Sequence, residues 1–76
     1  MYVETFLHPD GRVFTLSTED PGNGFLLHTN YISVMGEVTS DVEACITMTE
    51  ASAYRRGILN MLKWSGFVGT HAVVVS

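Results

Sequence analysis

Basic residues are scarce in this chain. Four Lys and Arg stand against eight Asp and Glu, a formal net charge of −4 with histidine neutral. A surface of that sign repels a phosphate backbone, which argues against plain nucleic-acid binding. Cysteine is scarcer still. Cys45 stands alone, so no intrachain disulfide can form. Small secreted domains usually rely on several such cross-links, so the expected compartment is a reducing cytoplasm. Only two prolines occur. There is no Pro-rich or Gly/Ser-rich tract and no internal repeat. Apolar runs last a few residues, too short to span a bilayer. Met1 is followed by Tyr2-Val3-Glu4-Thr5, neither the basic segment nor the apolar run of a secretory signal.

What remains is a compact budget of 76 residues, 46% of them hydrophobic. Residues 1–76 suffice for one domain. A chain of this size buries roughly 60–65% of the surface it exposes when unfolded. That leaves room for one small core and none for a deep substrate cleft beside it.

Local signals order the elements. Tyr2 to Leu7 is rich in β-branched and aromatic residues, and Arg12 to Ser17 resumes that composition. Between them, His8-Pro9-Asp10-Gly11 has the residues of a tight turn, so the two segments read as a β-hairpin. Val3, Thr5 and Leu7 fall on one face, with Tyr2, Glu4 and Phe6 on the other. Neither face is uniformly polar, so an aromatic-bearing face is expected to be partly exposed. Thr18 to Gly24 has loop composition. Phe25 to Val38 reads as strand, with breaks open at Thr29-Asn30 and at Gly36, and Thr39-Ser40-Asp41 reads as a short turn.

Val42 to Met48 alternates as a strand does. Ser40-x-x-Glu43 also has the form of a capping box, but the strand is the preferred reading. A helix is expected from about Glu50 to Ser65. Ala51, Tyr54, Ile58, Met61 and Leu62 share one stripe, Thr49 is placed to cap the start, and Gly66 suits the position after the end. Thr70 to Ser76 closes the chain as a strand. Val73-Val74-Val75 shows no polar alternation and is expected to be buried. The fold class is therefore α+β: a small antiparallel sheet of four to five strands, with one helix packed on one face, in the order β-β-β-β-α-β.

Charge is segregated along this order. Residues 1–50 hold all eight acids and one base, a net −7; residues 51–76 hold Arg55, Arg56 and Lys63 and no acid, a net +3. Such a division either solvates the surface or forms an acidic face that docks a basic partner. On the helix, Ala53, Gly57, Asn60 and Trp64 form a strip beside the core stripe. The plainer expectation rests it on the sheet with Trp64 in the core; a contact strip for another chain is the alternative.

No residue pattern names a reaction. His8, His28, His71 and Cys45 match no zinc-module spacing, and no metal or cofactor is expected. Cys45 has no basic neighbour in sequence and is expected to be a buried, inert thiol. No nucleophile elbow surrounds a serine. Gly22-Asn23-Gly24 and Gly66-x-x-Gly69 are too unspecific for a phosphate loop. Aromatics such as Tyr2, Phe6 and Phe14 lack the basic surround of a base-stacking sheet. A non-enzymatic protein-binding role is the expectation that survives.

The acidic segment from Glu4 to Glu50, the capped helix ending Lys63-Trp64-Ser65-Gly66 and the final strand together resemble, in general character, small phage-encoded anti-CRISPR inhibitors. The resemblance covers the full length but carries no diagnostic motif. It implies a cofactor-free inhibitor in the cytoplasm of a bacterial host. Such an inhibitor occupies a basic nucleic-acid-binding or nuclease-recruitment surface on a CRISPR effector complex. On this reading Asp10, Glu19, Asp20, Glu37, Asp41 and Glu43 meet Lys and Arg of the partner, and Phe25 and Tyr31 supply anchors. A self-associating accessory protein, with a homodimer through a strand edge or the Trp64 strip, and an antitoxin-like neutraliser of a basic partner are the alternatives.

Overall fold

The computed structural model describes residues 1–75. The chain forms β1 (Tyr2–Leu7), β2 (Val13–Glu19), β3 (Phe25–Ile32), β4 (Val38–Cys45), α1 (Met48–Trp64) and β5 (Val68–Val74). This is the expected β-β-β-β-α-β order. The strands make one antiparallel sheet in the order β4-β3-β2-β1-β5. β1 to β4 form a meander. α1 then carries the chain from one edge of the sheet to the other. Its 17 residues rise about 25 Å, which matches the roughly 23 Å of a seven-residue strand.

The hairpin of β1 and β2 forms as expected. The amide of Gly11 donates to the carbonyl of His8 at 2.9 Å, with Gly11 at φ 102°. The His8 ring in this turn meets Phe67 edge-on at 5.2 Å. The next turn lies elsewhere than expected. Thr39, Ser40 and Asp41 are not a turn but the middle of β4, paired with Tyr31, Asn30 and Thr29. The turn is Ser33–Glu37, where the Ser33 hydroxyl accepts from the amides of Met35 and Glu37 at 3.3 and 3.1 Å. Side-chain acceptance of this kind closes a loop as a backbone turn would. No break falls at Thr29-Asn30, which lie inside β3.

β4 ends at Cys45, so Met48 belongs to the helix and not to the strand. Thr47, rather than Thr49, caps α1: its hydroxyl accepts from the amide of Glu50 at 3.1 Å. Glu50 and Lys63 lie in the first and last turns, each at the dipole end that favours it. Gly66 follows at φ 89° and ends the helix. One glycine is needed for space. A Cβ on Gly24 would lie 2.8 Å from the Cys45 carbonyl oxygen, at φ 137°, so the β2–β3 loop passes this close to β4 only with glycine there.

The core lies between the sheet and α1. Phe14, Leu16, Leu27, Cys45, Ala51 and Leu62 are buried, with Phe6, Phe25, Tyr31, Tyr54, Ile58 and Phe67 packed around them. The strand alternation thus turns Tyr2, Glu4 and Phe6 toward the helix, and Glu4 is buried at 5% exposure. Met61 leaves the expected stripe and is half exposed. Trp64 is 89% exposed and not in the core. A Cβ built on Gly57 would meet open space among the described residues, so the strip does not rest on the sheet there. Val73, Val74 and Val75 are not a buried strand: β5 is a sheet edge, exposed along its length. The end of the expected strand at Ser76 lies outside the described residues.

Candidate functional site

A single helix is about 10–12 Å across, whereas five strands span roughly 24 Å. α1 therefore covers only part of its face of the sheet, and its backbone approaches β3 and β4 most closely. Beside it runs a groove of about 430 Å³, lined in part by Tyr2, Phe6, Leu59, Thr70 and Ala72. At its side Arg55 reaches Glu4. Nε donates to Glu4 Oε1 at 3.1 Å, and Nη2 donates to the same oxygen. The carboxylate is nearly enclosed and the guanidinium is 40% exposed. This pair ties α1 to β1.

On the other side of α1 lies β4, a free edge. An edge strand presents backbone donors and acceptors that no neighbour uses. Among the described residues, Glu4 pairs with Arg55, Asp10 with Arg12 and His8, and Glu19 with His28. Five acids have no basic partner there: Asp20 in the β2–β3 loop, and Glu37, Asp41, Glu43 and Glu50, which fall on β4 or on the segments that flank it. Asp41 and Glu43 point to the helix side, by the register that sets them opposite Thr29 and Leu27. Their field is felt nearby. Burial, then Glu43 and Asp41, push the Tyr54 hydroxyl pKa up. Burial, then Glu50 and Glu43, do the same for the Cys45 thiol. Cys45 thus stays protonated and unreactive at neutral pH.

The acids expected to form one face are divided by the fold. Asp10 and Glu37 lie in turns at one end of the meander; Glu19 and Asp20 lie at the other. Asp10 is engaged locally. Its two carboxylate oxygens accept from the Arg12 amide and from Arg12 Nε at 3.0 and 2.8 Å. Desolvation opposes the charge, but these bonds outweigh it and hold the Asp10 carboxyl below its ordinary range. Asp20 accepts from the amide of Gly22 at 2.9 Å. Glu19 faces His28 at 3.3 Å on the side of the sheet away from the helix. Phe25 and Tyr31 pack against the core. The Tyr31 hydroxyl, and after it Asp10, raise the pKa of Arg12 against the opposing effect of burial. Only Glu37, Asp41 and Glu43 of the expected set are gathered along one edge. Glu50 joins them, which sequence reading placed on the helix and not at the site.

Among the described residues, no group of three His, Cys, Asp or Glu is placed to hold a metal ion. No helix is long and apolar enough to cross a membrane. No family model, curated protein or solved structure matches the chain.

Proposed function

We propose that this protein is a small binding module that inhibits a larger nucleic-acid-handling assembly by occupying one of its basic surfaces. β4 is the contact edge. The observation that carries the reading is the concentration of unpaired acids along residues 37–50, on and around an unpaired strand edge. A partner segment rich in Lys and Arg gains on both counts. It pairs with the free backbone groups, and it is selected by Asp41 and Glu43. Acids on an exposed edge also keep identical chains from joining there. The edge thus rejects a second acidic copy and accepts a basic partner.

The resemblance to anti-CRISPR inhibitors supplies the partner class: a CRISPR effector complex, blocked at a nucleic-acid-binding or nuclease-recruitment surface. The test is affinity for purified effector complexes across a salt series. Asp41→Lys/Glu43→Lys is expected to weaken binding about 100-fold or more, the order of two lost charge contacts. Glu19→Lys/Asp20→Lys is expected to change it little. Equal loss from both pairs, or no binding by the native chain, contradicts the assignment.

A further inference from the structure

Among the described residues nothing covers the face of the sheet opposite α1, and its residues are arranged in rows. The pairing register places Val38, Ile32, Val13, Leu7 and Val68 side by side across all five strands. This is an unbroken aliphatic row. Beside it lies a polar row, Ser40, Asn30, Thr15, Thr5 and His71, in which Ser40 Oγ donates to Asn30 Oδ1. A third row returns to Val42, His28, Ser17, Val3 and Val73. None of these residues is buried. Val38, Val68 and Val42 are 63%, 59% and 52% exposed. A small sheet does not ordinarily leave an aliphatic row of this length in water.

Charge indicates what covers it. The molecule carries −4, yet Glu19 is the only acid on this face, and it faces His28. The remaining acids lie in turns, on the helix or on the helix side of the sheet. No Lys or Arg lies on this face either. Apart from Glu19, a basic partner finds no carboxylate side chain here, and an anionic surface finds no Lys or Arg. A second copy of the same chain can approach without the repulsion its acidic edge would impose.

Area agrees. Five strands by seven residues give a projected face of about 550 Å² per copy. Two copies bury about 1,100 Å², just above the roughly 1,000 Å² that a specific interface needs.

We propose that two copies associate through these open faces, as two aligned sheets about 10 Å apart. A two-fold axis along the polar row lays the Val38-to-Val68 row of one copy over the Val42-to-Val73 row of its partner. Glu19, which lies beyond the third row, then stays at the rim. Both β4 edges remain free, so the dimer is independent of the proposed contact with a basic partner.

Sedimentation equilibrium at about 100 μM tests this, since an interface of that size supports micromolar association. The native chain is expected to sediment at twice its 8.4 kDa. Leu7→Lys/Val38→Lys is expected to weaken the dimer about 100-fold, although it lowers net charge and with it any general repulsion. Val34→Lys, in the exposed turn after β3, is the control and leaves the mass unchanged. Methyl NMR of the native chain gives a reading without substitution: Leu7, Val13 and Ile32 shift on dilution. A native monomer at about 1 mM, a dimer that survives Leu7→Lys/Val38→Lys, or dilution shifts confined to Trp64 or β4 overturns the proposal.

Discussion

Glu4 occupies a position that strand alternation turns into the core, and only a partner from the helix makes that tolerable. Burying a carboxylate without compensation costs several kcal/mol. Two charge-assisted bonds from Arg55, 51 residues away in sequence, supply the compensation. The half-exposed guanidinium weakens the attraction but remains solvated when the pair is broken. Arg55→Ala is therefore the damaging change, because it leaves the enclosed carboxylate alone. The expected loss is about 2–3 kcal/mol in urea unfolding. Glu4→Gln in the Arg55→Ala background should return part of it, since a neutral amide is cheaper to enclose. No loss from Arg55→Ala would mean that the pair does not hold α1 to β1. The sequence placed Glu4 with Tyr2 and Phe6 but offered no sign that it was buried. That depends on a contact that exists only after α1 crosses the sheet.

At the level of elements, the legible parts were those with local signals. The Pro-Asp-Gly turn marked the first hairpin, and the Ala51-to-Leu62 spacing marked the helix. The β3–β4 turn was misplaced because its tip is apolar. Val34 and Met35 read as strand, although they are 59% and 82% exposed, and Ser33 closes the turn through its hydroxyl. Thr39-Ser40-Asp41 has turn-like composition, but cross-strand pairing with Tyr31, Asn30 and Thr29 overrides it. The helix start was two residues late because two threonines compete for the cap. This is checkable by thermal or urea unfolding. Thr47→Ala should cost about 1 kcal/mol, the usual worth of an N-cap. Thr49→Ala, already inside the helix, should cost little or stabilise slightly. The reverse order would place the cap at Thr49.

At the scale of the whole molecule, one helix on a five-stranded sheet decides what is left for function. It builds a core on one side and, among the described residues, leaves two edges and one whole face open. The sequence indicated the acidic balance but not its distribution, because pairing is a tertiary property. Glu4, Asp10 and Glu19 are taken up by Arg55, Arg12 and His28. Of the five acids left without a basic partner, all but Asp20 collect on β4 and the segments that flank it. Phe25 and Tyr31, expected as anchors, instead pack against the core from the same strand.

The central claim is that the β4 edge is where the partner sits. Amide hydrogen exchange tests it most directly, read on the chain alone and on the chain saturated with a purified CRISPR effector complex. The account predicts added protection across residues 37–45, weakened by salt, with the backbone of β5 unchanged. Protection at β5 or along α1, or none anywhere, would contradict it.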